Sequence, residues 1–304
     1  MTADLNVTIN GLNLKNPTIL ASGILGVTKA SLKNVVNNGA GAVTTKSISA
    51  LPRQGHPAPI IITYEAGMLN AVGYSNPGAQ KAKEEFQNAQ TVGAPVIASV
   101  IGQSIEDFQA VVEQIKDCGF AAMEIPLSCP HTPGFGSLGG QHTPQMAAAI
   151  TAAVKKLTGL PIWIKISPTH QNNLKVAQAA EAAGADAIVA GNSMGPGMII
   201  DIETAKPILG FKMGGVSGAA LRPIAVRCVY DLYQTVKIPI IGCGGVASGR
   251  DLIEMMMAGA QAVALGTAVF IGGASVFNKI TREAAGWLEE NNYKKITEVI
   301  GLAH

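Results

Sequence analysis

Eight short apolar runs recur along the 304-residue chain, at Thr18-Ala21, Ala42-Thr45, Val96-Val100, Ala122-Leu127, Ile162-Ile166, Ala187-Ala190, Pro239-Gly242 and Ala262-Leu265. Segments with helical period lie between them, among them Ser104-Cys118, Thr143-Leu157, Asn172-Ala183, Ala219-Thr235 and Ser248-Ala258. Asn38-Gly39-Ala40-Gly41-Ala42, Ala183-Gly184-Ala185-Asp186-Ala187 and Ala258-Gly259-Ala260-Gln261-Ala262 each join a helix to the next strand through a glycine stop. Right-handed crossovers between eight such units predict an α/β fold, a single (β/α)8 barrel of the TIM type over residues 1–304. A doubly wound open sheet is the rival, and eight regular units favour closure. Asn10-Gly11, flanked by the alternating stretch Leu5 to Lys15, predicts a hairpin ahead of the barrel.

Bulk properties remove several functions. With 48% hydrophobic and 14% charged residues the chain can build one large barrel core or two ordinary domains, and the repeat decides for the barrel. A net charge of +2 without any run of lysine and arginine gives no support to nucleic-acid or anionic-membrane binding. Four cysteines, Cys118, Cys129, Cys228 and Cys243, form no C-x-x-C pair and no metal-ligand spacing with the five histidines. They read as reduced thiols of a cytosolic, cytoplasmic protein without its own zinc or iron-sulfur site. No basic N-terminal region precedes an apolar stretch, and the longest uncharged run, near Ala258 to Lys279, is broken by Gly266, Gly272 and Gly273, so neither a signal peptide nor a membrane span is expected.

In barrels of this kind chemistry sits at the carboxyl ends of the strands. Those ends carry Ser22-Gly23, Lys46-Ser47, Ser99, Cys129, Lys165, Asn192-Ser193, Gly244-Gly245 and Gly266-Thr267. The loop from about Ile48 to Pro77 is long enough to expect a functional one. In Glu124-Ile125-Pro126-Leu127-Ser128-Cys129-Pro130-His131, proline ends a buried strand and leaves Cys129 under a loop holding Gly134, Gly136, Gly139 and Gly140. A thiol there does proton or nucleophile chemistry, or is a small buried side chain in a turn. Three glycine clusters, Gly214-Gly215-Val216-Ser217-Gly218, Gly242-Cys243-Gly244-Gly245 and Gly266-Thr267, suit a phosphate cradle of backbone N–H groups, or simply tight turns. A dinucleotide site is discounted, because Ala264-Leu265-Gly266 offers no acidic residue where the fingerprint needs one. Lys46 and Lys165 beside such a cradle suit a phosphorylated cofactor whose ring becomes anionic, as reduced flavin does; the alternative is a lysine capping carbonyls or pairing with Glu124.

Ala21-Ser22-Gly23, Lys46-Ser47 with Pro52-Arg53, Gly67-Met68-Leu69-Asn70-Ala71-Val72-Gly73, Ser128-Cys129-Pro130, Lys165-Ile166-Ser167-Pro168, Asn192-Ser193 and the glycine clusters together resemble the class 1 dihydroorotate dehydrogenases, in register over nearly the whole chain. Ser-Cys-Pro-His and a loop ending in Gly140-Gln141 are most similar to class 1B catalytic chains, archaeal ones included. The resemblance implies a flavin mononucleotide (FMN) enzyme oxidising dihydroorotate to orotate in pyrimidine synthesis. Cys129 would remove the C5 proton while C6 passes hydride to the flavin; a serine there would suggest class 2. Lys46, Asn70, Ala71, Val72, Gly73, Tyr74, Asn192 and Ser193 would hold substrate. Ser22, Lys46, Ser47, Ser99, Lys165, Gly191, Gly218, Gly244, Gly245, Gly266 and Thr267 would hold FMN. Class 1B relatives pair with a subunit carrying FAD and an iron-sulfur cluster, and class 1A relatives act as homodimers with fumarate. The first barrel strand begins near residue 17, too early for the membrane-binding extension of class 2.

One departure stands out. The family usually has asparagine where this chain has Pro126, which offers no side-chain donor. Thr169-His170 replaces a frequent Asn-Val, and His170 either compensates or sits in a solvated loop. Two other readings remain open: an FMN oxidoreductase of another dihydropyrimidine such as dihydrouracil, and a phosphate-sugar lyase using Lys165 as a Schiff-base amine.

Overall fold

The computed structural model describes residues 3–129 and 132–304; Pro130 and His131 lie outside them. Eight strands, β1 (Thr18–Leu20), β2 (Ala42–Thr44), β3 (Val96–Ser99), β4 (Ala122–Pro126), β5 (Ile162–Ile166), β6 (Ala187–Ala190), β7 (Ile240–Cys243) and β8 (Ala262–Leu265), pair in parallel as a closed barrel in chain order. Closure is made by β8 on β1, with Val263 opposite Thr18 and Leu265 opposite Leu20. The runs are mostly apolar because each strand is buried on both faces, by the barrel interior and by the surrounding helices; Ser99, Glu124 and Lys165 are buried polar exceptions.

The helices are α1 (Lys29–Asn37), α2 (Ala79–Phe86), α3 (Ile105–Ile115), α4 (Pro144–Lys155), α5 (Asn173–Ala182), α6 (Arg222–Tyr233), α7 (Gly249–Met257), α8 (Thr267–Gly272) and α9 (Val276–Glu290). Thr28, Ser104, Thr143 and Ser248 cap four of them, each side chain accepting from the N–H three residues on. Two helices are shorter than the sequence predicts. Helix α3 stops before Cys118, whose N–H closes a tighter turn on the Ile115 carbonyl (3.0 Å) as the chain enters Gly119 at φ +84°. Residues Ala219–Leu221 form a separate 3-10 turn, since Pro223 fits only the first turn of a helix and starts α6 there.

The expected hairpin is present: Val7–Ile9 pairs antiparallel with Leu12–Leu14. Its turn residues Asn10 and Gly11 both have positive φ, as a tight hairpin requires. Asn10 donates to the Asp186 carbonyl and accepts from the Trp163 indole, both at 2.9 Å, which fixes the hairpin at the start of β5 and β6, opposite the catalytic end.

The long loop after β2 is not irregular. Ile61–Tyr64 and Gly67–Asn70 pair with each other and with Gly214–Ser217 and Met194–Gly197 from the segment after β6, giving a four-stranded antiparallel sheet. The first glycine cluster is therefore mostly a strand of this sheet. The pleat sends alternate residues to opposite sides. Met68, Asn70 and Val72 line the cavity at the barrel mouth, whereas Leu69 and Ala71 join Leu209 in a small core of their own.

Candidate active site

The cavity lies between the carboxyl ends of the strands and the accessory sheet. Its lining includes Ser22, Lys46, Ser47, Asn70, Val72, Gly73, Tyr74, Cys129, Lys165, Asn192, Ser193, Gly218, Gly244, Gly245, Gly266 and Thr267. Three other residues singled out in the sequence do not line it. Ala71 faces away by the pleat. Ser99 lies below the surface, fully buried, with its hydroxyl 3.0 Å from that of Ser47. Gly191, at φ +132°, is where β6 meets β7, and a side chain there would collide with the Cys243 carbonyl.

The floor is a buried polar network. Glu124, 3% exposed, accepts from Ser22 Oγ (2.6 Å) and Ser99 Oγ (3.2 Å) on one carboxylate oxygen. Lys165 Nζ lies 3.8 Å from that oxygen and donates to Ser22 Oγ at 3.2 Å. Burial alone would lower the Lys165 ammonium, but Glu124 and Cys243 outweigh it and hold the group above the usual lysine range. Cys243, across from it, is pushed up by burial against the pull of Lys165.

Lys46 is different. It donates to the Gly23 carbonyl at 3.3 Å and forms no ion pair with any described residue. Burial pushes it down to about 8. A desolvated ammonium on a cavity wall, without a protein anion, is suited to an anionic ligand.

Cys129 lies at the cavity edge beneath the glycine-rich loop. An atom added at Gly136 would collide with the Cys129 backbone nitrogen, so only glycine lets the loop lie this close. Gln141 pins the loop down: its amide donates to the Gly102 carbonyl (2.7 Å) and accepts from Gly136 N–H (2.9 Å). Asn192 donates to Ser128 Oγ at 2.9 Å, tying the loop after β6 to the residue before the thiol.

Pro126 lines the cavity at the end of β4. His170 does not line it and so does not replace the missing amide. Its Nδ1 accepts from Asn172 N–H, and its ring lies tilted by 55° against His142, with the centroids 4.3 Å apart. His142 is buried, and burial, then His170, push it down to about 4 against a hydrogen bond with the Leu127 backbone that raises it. Thr132, unnoticed in the sequence, has a buried hydroxyl on the cavity wall without a partner among the described residues. Glu124 was seen only as a possible partner for lysine; its place as the hub of Ser22, Ser99 and Lys165 depends on three strands meeting.

The opposite wall carries few side chains. At Gly266 an added Cβ meets nothing nearer than Ala21 and Ile24, both at 3.8 Å, so the space in front of it is open. Glycines 218, 244 and 245 and Thr267 continue that wall. The open space at Gly266, in the cavity that these glycines, Lys46 and Lys165 also line, fits a phosphorylated, electron-accepting cofactor. Fold and mouth together define a (β/α)8-barrel enzyme working on a small molecule at the carboxyl ends of its strands.

The comparisons give the family. A family model described as dihydroorotate dehydrogenase matches residues 4–288. The dihydroorotate dehydrogenase B (NAD(+)) catalytic subunit of Methanosarcina mazei is 45% identical over 299 residues, covering 98% of this chain and 94% of that protein. The protein of the same description from Methanothermobacter thermautotrophicus is 42% identical over 302 residues, covering 99% and 98%. Among solved structures, a dihydroorotate dehydrogenase from Eimeria tenella in complex with ferulenol superposes with a TM-score of 0.84 at 20% identity, covering 99% of this chain and 89% of that one, which speaks to the fold. The chain belongs to the dihydroorotate dehydrogenase family.

Proposed function

We infer that this protein oxidises dihydroorotate to orotate with FMN, as a catalytic chain of pyrimidine synthesis. The observation that carries the reading is the pairing, within one cavity, of the Cys129 thiol and the Lys46 ammonium, which has no ion-pair partner among the described residues, with a glycine wall that is open at Gly266.

Ser22, Lys46, Ser47, Lys165, Gly218, Gly244, Gly245, Gly266 and Thr267 would hold FMN, with Ser99 and Gly191 supporting this layer from behind. The chemistry that bound FMN would supply is acceptance of the hydride that leaves C6 of dihydroorotate. Cys129, as thiolate, takes the C5 proton and becomes a thiol, so that the C5–C6 double bond forms as both hydrogens leave. Lys46 holds the substrate carboxylate, and Asn70, Val72, Gly73, Tyr74, Asn192 and Ser193 orient the ring. Lys165, kept charged by Glu124, stabilises negative charge developing near it. The pinned loop keeps water from the thiol.

Residues 1–304 act as one flavin-binding unit in the cytoplasm, as a homodimer. The electrons leave through a second subunit carrying FAD and an iron-sulfur cluster to NAD, a pairing supported by the catalytic-subunit wording of the relatives. Among the described residues no helix is long and apolar enough to cross a membrane.

Pro126 supports a second reading, oxidation of another dihydropyrimidine such as dihydrouracil. Anaerobic mixing separates the two: dihydroorotate bleaches the flavin and dihydrouracil does not. The reverse result overturns the first reading. A lyase with Lys165 as nucleophile is disfavoured, because an ammonium paired with buried Glu124 is not a free amine.

A further inference from the structure

Ser217 ends the strand Gly214–Ser217 of the accessory sheet and lines the cavity. It stands opposite Met68, as Gly215 stands opposite Asn70, and directly paired residues of antiparallel strands share a face. Ser217 therefore lies on the same side of the sheet as the two residues that line the cavity from the facing strand. Its hydroxyl accepts from Thr267 Oγ1 at 2.8 Å, the first residue of α8. Among the described residues no other side-chain hydrogen bond runs from these four strands to the barrel. The backbones close up at the same point. Ala220 N–H donates to the Ala66 carbonyl (3.0 Å), and a Cβ added at Gly218, φ +99°, would lie 2.7 Å from Gly67 Cα and 3.3 Å from Thr267 Cγ2. Sheet and glycine wall meet here without room for a further side chain.

We propose that Ser217 is a positioning residue for the reaction: through Thr267 its hydroxyl fixes the accessory sheet against the cofactor wall and so sets the separation between substrate and cofactor. The proposal rests on the reading in which Asn70 and Val72 of the sheet side orient substrate while Gly266 and Thr267 hold FMN. The sheet hangs from the barrel on the long segments that follow β2 and β6, so its distance from α8 is not set by the pairing of the barrel strands. A short bond between two hydroxyls on short side chains supplies that distance. Transfer between two bound partners is sensitive to such a setting, since about an ångström of misplacement can cost ~10²-fold in rate. Ser217→Ala removes the bond and leaves the strand pairing with Met68 and the Ala220–Ala66 bond in place, so the sheet persists and only its tie to the wall is lost.

The test has two arms on the full chain. In the first, hydrogen exchange is followed by mass spectrometry on flavin-free and flavin-loaded protein: Ser217→Ala should speed exchange across Gly67–Asn70 and across Thr267–Gly272 together, by about 2–13-fold, the worth of one neutral hydrogen bond. In the second, anaerobic bleaching by dihydroorotate is expressed per bound flavin: the limiting rate should fall roughly tenfold while the half-saturating dihydroorotate concentration changes little. Loss of folded protein alone would lower the amount of bound flavin and leave that rate unmoved. Thr267→Val removes the same bond from the other side and serves if the alanine variant does not fold. In the Thr267→Val background Ser217→Ala should cost nothing further in either arm. Parental exchange in both segments overturns the proposal, as does a parental limiting rate, and an equal further loss in the Thr267→Val background overturns the route through Thr267. A flavin-loaded parent that dihydroorotate does not bleach would instead overturn the functional reading, and the exchange arm still reads the tie between sheet and wall, so the two failures are distinguishable.

Discussion

The Lys165 ammonium lies 3.8 Å from the Glu124 carboxylate, both side chains nearly sealed from solvent, at the point where β4, β5 and the end of β1 meet beneath the cavity. Each charge makes the other's burial tolerable. Removing one alone is expected to be costly for reasons unrelated to catalysis.

Lys165→Met should therefore destabilise the protein by about 3–5 kcal/mol, because it leaves Glu124 charged, buried and without a counter-ion. Lys165→Met with Glu124→Gln should recover most of that loss in urea denaturation. If the folded double variant still binds flavin, its reduction by dihydroorotate should slow by roughly 10²–10³-fold, the effect of one lost electrostatic donor. A parental reduction rate would make Lys165 purely structural.

The glycine wall separates into two kinds of position. At Gly266 there is room for a side chain, which would fill the space assigned to the cofactor. Gly266→Leu is expected to keep the melting temperature of the flavin-free parent while failing to retain flavin, read as the ratio of flavin to protein absorbance. Gly245 stands at φ +75° with an added Cβ 2.7 Å from the Arg222 nitrogen. Gly245→Leu should therefore impair folding first, and stoichiometric flavin in Gly266→Leu would argue against the cradle.

The barrel was legible because a doubly buried strand is mostly apolar and a glycine closes the preceding helix; β5, β6 and β8 carry the boundaries that the runs predict. The expected position of Cys129 beyond a strand end is found, since it lines the cavity three residues past the end of β4. The accessory sheet was not legible. Gly67-Met68-Leu69-Asn70 and Gly214-Gly215-Val216-Ser217 are poor strand formers, and they become strands by pairing across a long stretch of chain. The same limit misplaced Ala71, whose direction is set by that pleat, and Ser99, which lies one layer below the rim. His142 against His170 is likewise a tertiary contact between two distant loops, which no local pattern announces.

That pair predicts acid sensitivity. His142 titrates near 4 in the folded protein and near 6.5 when unfolded, so the unfolded chain binds the extra proton first as pH falls. The associated stability is present above about 6.5 and is lost progressively as pH falls through 4, up to ~3 kcal/mol. In urea denaturation at pH 7 and pH 4.5, His142→Gln should show a smaller loss between the two pH values than the parent. An equal loss would place the acid sensitivity elsewhere.

Lys46 should make substrate-anion binding depend on pH in the opposite range. It is charged below about 8, so orotate affinity, followed by the flavin spectral shift, should be full there and fall as pH rises above it. If orotate binds only the protonated form, the dissociation constant grows about tenfold per pH unit. Lys46→Met should bind orotate about 10–150-fold more weakly, corresponding to one lost charged hydrogen bond, and with little dependence on pH. A parental pH profile in that variant would remove Lys46 from the substrate site.

The thiol itself is tested by Cys129→Ser. The glycine wall lies across the cavity, so flavin should remain bound, and the serine hydroxyl fits where the slightly larger sulfur was. A hydroxyl, however, ionises far less readily than a thiol, whose ordinary value is near 8.5, and the described surroundings place no imidazole on the cavity wall to take its proton. Bleaching by dihydroorotate in anaerobic stopped flow should slow by about 10²–10⁴-fold, the contribution of a positioned base. Cys118→Ser, in the turn after α3, and Cys228→Ser, buried on α6 with its thiol pushed up to about 12, should bleach as the parent does. Equal bleaching by Cys129→Ser and the two control variants, with one shared pH dependence, would assign the proton to some other group and leave Cys129 a structural thiol beneath the loop that Gly136 brings down on it.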